Sequence, residues 1–371
     1  MSDGNYFKRL DYTKQDIPTC PFTNLMFSGS TAAVEYTPIE KFLSETDADT
    51  IKKIFDFTKS NREKNCGLGD AYIQEVKDKR NSGFYLKIKK DRNKDTQTNI
   101  FINFNMDEKN KVLYDQNFIH IEEGAKVKIF LYYDAVADDC GLIDFFRNGL
   151  LSIIAEKECE AELIKVQNLC SSGINFETVK IHALEHSHIR LYDIQLGGKI
   201  NGSSTSTYIP EDWADVQIFP LYFADENRKI DLEHNFIING KNSLALISAR
   251  GALKNKAYKI FRGNIFLNKG CSRSAAKFSD NTIMLDKTAA GATIPTIFCD
   301  EDDVMGEHAA SFEAVNYDKL YYLMTRGFDE LSAKKLIVEA AFKPVFNMID
   351  NEKIRERLLT EFRIKIDKVN G

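Results

Sequence analysis

The sequence predicts a mainly β protein whose long β body is flanked by helical regions at both ends. From about Thr98 to Phe298 the apolar residues recur with a period of two, and on either side the period lengthens to that of a helix. Between those limits no helical pattern interrupts the short strands, which excludes a doubly wound α/β sheet. The boundaries drawn this way are 1–97 for an N-terminal helical and mixed region, 98–315 for the β core and 316–371 for a C-terminal helical domain.

The N-terminal region reads as helical from Pro38 to about Gly69. Thr46-Asp47-Ala48 lead into Asp49 to Phe57, where Ile51, Ile54 and Phe55 fall at i, i+3 and i+4, and Gly67 lies beyond as a stop. Lys77 to Asn99 carries both signs of charge and reads as solvated loops and edge strands. In the β body, Lys126 to Leu131, Glu162 to Val166, Val179 to Ile181, Ile189 to Leu191 and Ile230 to Leu232 alternate polar and apolar. Leu244 to Ile247 and Asn264 to Leu267 follow. These strands are expected to be short, about four to seven residues. Turns such as Leu196-Gly197-Gly198-Lys199 and Asn239-Gly240-Lys241-Asn242 separate them. Two architectures fit: a sandwich or barrel, or a stacked β-helix. No strict repeat chooses between them. Helical texture returns at Tyr317, with Leu320, Leu323 and Met324 on one face and Arg326-Gly327 as a stop. Ser332 is the expected cap of the next helix (Leu336, Ile337, Ala340, Ala341), and Ile354, Leu358 and Phe362 continue the pattern.

Composition narrows the function classes. The chain has 371 residues, 28% of them charged, and a formal charge of -5, so it lacks the basic surplus of an electrostatic nucleic-acid binder. Neither a signal-peptide core nor an 18-residue uncharged apolar run occurs, so neither export nor a membrane partner is expected. The seven cysteines (20, 66, 140, 159, 170, 271, 299) are odd in number and never form a CxxC pair; they read as reduced thiols, with the cytoplasm as the default location. No GxxxxGK[ST] loop, GxSxG elbow or HExxH motif is present, so ATP chemistry would belong to a partner.

Two clusters bear chemistry. His182, His186 and His188 would share one face of a continuous strand and so offer imidazoles for a cupin-like metal enzyme; the plainer reading is polar residues on a wet strand face. The second begins at the strand Pro295 to Cys299, passes through Asp300-Glu301-Asp302-Asp303, and reaches Glu307-His308. A thiol, an imidazole and several carboxylates within ten residues suit iron or zinc, although a solvated acidic turn explains the same residues.

Arg250 to Pro344, about a quarter of the chain, resembles the SufB/SufD family of iron–sulfur cluster assembly scaffold proteins, and SufD most. Five pieces agree in order and spacing: Phe261-Arg262-Gly263-Asn264-Ile265, Met284-Leu285-Asp286-Lys287, the block from Thr293 through Asp302-Asp303-Val304 to His308-Ala309, Leu320 to Gly327, and Ala333 to Phe342. Two positions depart from the SufB-type pattern, Ala289 for a cysteine and Ala309 for a glutamate. Gly306 stands where SufD-type chains often carry a cysteine.

The resemblance implies a right-handed parallel β-helix flanked by N-terminal and C-terminal α-helical domains. It also implies a non-catalytic scaffold beside a SufC-type ABC ATPase that docks on the C-terminal helices. A SufB-like subunit, or a second copy, would pair through the β-helix ends. Leu320, Tyr321, Tyr322 and Arg326 become the candidate partner-binding residues, and His308, with Glu307 and Cys299, the candidate cluster site at a subunit interface, His308 being the metal ligand. A transient iron–sulfur cluster or iron is then expected in the complex, and no tightly bound cofactor in the isolated chain. A β-helix polysaccharide-processing enzyme is the third class; the missing export signal and the reduced cysteines speak against it.

Overall fold

A computed structural model describes residues 24–28, 33–55, 67–90, 97–135, 144–349 and 352–367. Cys20, Cys66, Cys140, Asp56 and Phe57 lie outside the described residues. Two strands, β1 (Asn24–Ser28) and β2 (Val34–Pro38), precede three helices, α1 (Ile39–Glu45), α2 (Ala48–Phe55) and α3 (Asp70–Lys79). The β body then runs through β3 (Ser82–Ile88), β4 (Thr98–Met106), β5 (Val112–Ile121), β6 (Lys126–Ala135), β7 (Phe146–Ala155) and β8 (Glu160–Asn168). It continues with β9 (Ile174–Ala183), β10 (His188–Gln195), β11 (Ile200–Ile209), β12 (Asp215–Ala224), β13 (Lys229–Ile238) and β14 (Leu244–Leu253). The last rungs are β15 (Tyr258–Leu267), β16 (Ala275–Met284), β17 (Ala290–Cys299) and β18 (Met305–Ala314). Helices α4 (Tyr317–Thr325), α5 (Glu330–Asn347) and α6 (Glu352–Asp367) follow.

From β3 onward the strands alternate between two sheets. The even-numbered strands from β4 to β18 stack in one, and the odd-numbered strands from β3 to β17 in the other, each in parallel register with the strand one rung before it. This is a parallel β-helix of about eight turns. Its rungs turn at a shared corner where Glu158, His186, Trp213, Asn242 and Arg273 all take positive φ, at successive spacings of 28, 27, 29 and 31 residues. The repeat therefore lives in backbone conformation. Five unrelated residue types occupy the corner, which is why no repeat is visible in the letters.

Most strands of the β body are ten residues long, above the expected four to seven. Inward columns such as Ile189, Val216, Ala245 and Ala276 fill the space between the sheets. Outward residues from mid-strand onward, including Tyr192, Phe219, Leu221 and Phe223, are buried under Val338, Phe342, Phe346 and Phe362 of α5 and α6. Burial on both faces erases the period-two signal there. Strand β3 lies in the stretch read as polar, yet Phe84, Leu86 and Ile88 are core residues. The α5 cap also differs from expectation: Asp329 accepts the Ser332 N–H at 2.8 Å and its hydroxyl, because Asp329 alone has the extended backbone of an N-cap.

A charged ladder crosses the interior. Arg147 is fully buried; it donates to Asp115 through Nε at 2.8 Å and Nη2 at 2.9 Å, and to Glu177 at 2.9 Å. Glu177 also binds Lys165, which reaches Asp193 at 3.1 Å. Gly149 makes room for it: a Cβ there would lie 2.4 Å from Nη2 of Arg147.

Candidate functional site

Among the described residues, no strand pairs with the outer edges of the last rung. Strand β17 is half-buried or exposed along its length, and β18 is exposed at every position but Ser311. Side chains alternate across a strand, so register with the buried rung below decides which way each residue faces. His308 stands over Phe278, Ala310 over Asp280 and Phe312 over Thr282, all members of the inward column. His308 thus occupies the mouth of the β-helix and is exposed only because the column ends there. Glu307 takes the opposite face, over Lys277, with which it pairs at 2.9 Å.

The turn between the end strands is tied down to the preceding rung. Glu301 accepts the Gly270 N–H at 2.9 Å and the Asp302 N–H at 3.0 Å, and these backbone donors hold its carboxyl below the usual carboxylate range. Arg273 N–H donates to the Asp303 carbonyl at 2.5 Å. The exposed Cys299 thiol lies 3.1 Å from the Glu301 carbonyl. The structure therefore brings Cys299 and His308 to one rung and turns Glu307 away. Among the described residues no three His, Cys, Asp or Glu side chains converge to hold a metal ion.

Directly beneath the mouth lies a polar cluster that the sequence did not single out. Buried Lys259 donates to Tyr222 at 3.0 Å, Thr282 at 3.0 Å and Thr293 at 2.9 Å, and pairs with Asp280. Its ammonium lies 4.7 Å from the Phe312 ring. Burial, opposed by Asp280, lowers its pKa. The available signal was a lysine two residues before Phe261, on a strand whose inward Phe261, Ile265 and Leu267 are apolar.

The histidine trio does not share a strand. His182 sits near the end of β9 in one sheet, His186 at the left-handed corner with φ 54°, and His188 opens β10 in the other sheet. His186 stacks on Trp213, with ring centroids 6.0 Å apart. Burial pushes the His182 ring down to about 4. The corner between the sheets, invisible in the letters, undoes the single-strand premise and with it the cupin-like reading.

On the C-terminal helices, Leu320 is buried, whereas Tyr321 and Tyr322 are 63% and 56% exposed. Tyr317, Tyr321 and Met324 recur at i, i+4 and i+7, forming an apolar stripe on α4 that faces solvent. The Arg326 guanidinium lies 5.2 Å from the Tyr322 ring. Tyr322 also lines a groove of about 810 Å³ between the end of β18 and α4–α5, with Ile283, Val315, Leu336 and Ala341 among its walls.

Comparison with known proteins agrees with this geometry. The family described as SUF system FeS cluster assembly, SufBD core domain, matches residues 104–341. Iron–sulfur cluster assembly SufBD family proteins of Staphylococcus aureus (strain USA300) and Staphylococcus haemolyticus (strain JCSC1435) are 22% identical over 262 residues, covering 71% of this chain. The match takes in 55% of those proteins, so the chain spans about half the length of these curated relatives.

Proposed function

Because the chain belongs to the SufBD core family of the SUF iron–sulfur cluster assembly system, we propose that it is a non-catalytic scaffold subunit of a SUF complex, acting with a SufC-type ATPase and a SufB-like subunit. The uncovered end rung carries this reading. A β-helix edge exposes unpaired N–H and C=O groups, and among the described residues nothing pairs with that edge where His308 faces the interior. One imidazole does not hold a cluster, so His308 ligates together with groups of the partner, Cys299 lying at the end of the preceding strand. The cluster is cargo that forms between subunits. Glu307 faces the opposite side of β18 and acts at the rim.

The SufD-like assignment is part of the proposal. It is supported by Ala289, a buried residue just before β17, and Ala309, on the outward face of β18, where SufB-type chains place a thiol and a carboxylate. The ATPase docks on α4, through Tyr321, Tyr322 and Arg326, with buried Leu320 holding the helix in place. A soluble site in the cytoplasm accords with a chain whose described helices are nowhere long and apolar enough to cross a membrane.

The test is reconstitution of the complex with His308→Ala, measuring cluster formation with complex assembly as control. Cluster yield should fall while assembly persists; normal yield from an intact complex removes His308 from the mechanism. Tyr322→Asp and Arg326→Glu should weaken ATPase pull-down in folded variants.

A further inference from the structure

The corner that follows β14 sets a lysine between two rungs and a helix. The Lys254 N–H donates to the Ala224 carbonyl at 2.9 Å, and the next N–H, of Asn255 at φ 52°, donates to Asp286 Oδ2 at 2.7 Å. Beside this pinned turn a cavity of about 220 Å³ opens against α5 and α6. Buried Leu285, Val338 and Ile366 form its apolar wall, and half-buried Lys254, Lys334 and Lys335 its cationic one. Two carboxylates also reach it, but both are engaged: Glu330 pairs with Lys334 at 2.8 Å, and Asp286 holds the Asn255 N–H. Burial lowers the Lys254 pKa; Asp286 and Asp225 oppose that shift, and the charges of Lys334 and Lys335 reinforce it. Asp225 is itself paired with Arg228 at 3.0 Å. Lys259 shares the lowered pKa, yet it is fully buried and donates to three hydroxyls. Lys254 instead opens onto a cavity.

We propose that this cavity binds a short-chain acyl phosphate and that Lys254 is acylated there. Desolvation and neighbouring cations are what activate a lysine amine as a nucleophile, and Lys254 has both. The same two cations, Lys334 and Lys335, supply charge-assisted donors for the phosphate oxygens. Leu285, Val338 and Ile366 receive the acyl chain. The cavity is smaller than the roughly 300–1,000 Å³ of sites for drug-sized ligands, which suits a compact donor and not a nucleotide-bearing acyl thioester. The unprotonated amine attacks the acyl carbon and a C–N bond forms. The bond from that carbon to the phosphate oxygen breaks, and phosphate leaves with the electron pair and takes up the surplus amine proton. The product amide is neutral, so acylation removes one of the three positive charges between the β-helix corner and α5.

Acetyl phosphate is the probe, with peptide mass spectrometry of the full chain as the readout. Lys254 should be acetylated at least about fivefold faster than Lys256, an exposed lysine of the same turn. Its rate should saturate with acetyl phosphate. At an ionic strength held constant with chloride, inorganic phosphate should slow Lys254 and leave Lys256 unaffected. Lys335→Gln should abolish that competition. Acetic anhydride, which carries no phosphate, should still label Lys254 ahead of Lys256 in the same variant, because the burial remains. The wild-type comparison stands whether or not Lys335→Gln folds. Equal rates at Lys254 and Lys256 with acetyl phosphate overturn the proposal. Preferential labelling that inorganic phosphate leaves untouched also overturns it, since Lys254 is then a reactive amine without an anion site.

Discussion

The two ends of the β-helix solve one physical problem in opposite ways. A stack of parallel strands must terminate in unpaired edges at both ends. At the N-terminal end the chain closes its own edges: β1 pairs antiparallel with β4, and β2 antiparallel with β3. Helix α1 then lays Phe42 on Tyr85, with rings stacked 4.1 Å apart, and against Phe118. At the C-terminal end no strand is added among the described residues, and the helices that follow β18 pack along the side of the sheet, against β12 and β14, leaving its edge bare. One end is finished by intramolecular pairing. The other presents backbone, an inward-facing histidine and an acidic rim.

That contrast can be broken hardest in the interior nearer the closed end. Arg147→Met leaves Asp115 and Glu177 buried without their shared cation, and should cost about 3–5 kcal/mol in chemical denaturation. Aromatic truncations compare the ends directly. Phe42→Ala should cost roughly 3 kcal/mol, whereas Phe298→Ala, 42% exposed although stacked on Phe266, should cost about 1 kcal/mol or less. Equal losses would mean that the open rung is as well packed as the closed one.

Histidines sharpen the same comparison. Burial, only partly countered by Asp193, pushes the fully buried His234 ring down to about 4, and His182 behaves likewise. The unfolded chain protonates these rings near pH 6.5, so folding stability should fall as pH drops from about 6.5 toward 4 and gain no further histidine penalty below that. His234→Gln should shrink the loss at pH 4 by roughly 3 kcal/mol, read from denaturation curves across that window. The smallest effect belongs to the mouth: His308→Ala should change stability by no more than about 0.5 kcal/mol, since the exposed ring packs against no further rung. A large loss would make His308 a structural residue.

Legibility followed burial. Strands with one wet face, such as Lys126 to Leu131, announced themselves, and the turn at Asn239 to Asn242 marked the connection between β13 and β14. Strand β11 did not: its run Gly202-Ser203-Ser204-Thr205-Ser206-Thr207 has no apolar residue to alternate, yet every one of these residues is buried between parallel neighbours. Strand β18 was read as a cluster of chemical groups, because Gly306 and three alanines give no strand pattern. Residues of the candidate site were legible through Cys299, His308 and the acidic turn between them. Their grouping was not, since sequence adjacency joined Glu307 to His308 where the pleat of the strand sends them to opposite faces.

By itself the sequence determined the period-two body, the helices at its two ends and the absence of nucleotide-binding and hydrolase motifs, because these depend on local patterning and residue type. Tertiary structure alone decided that the strands stack rung on rung, that His182, His186 and His188 separate across a corner, that Lys259 is buried under the mouth and that one edge stays bare. Each of those depends on which strand lies beside which, at separations near thirty residues. The corners that set this spacing are backbone conformations that glutamate, histidine, tryptophan, asparagine and arginine all adopt here, so no residue type marks them.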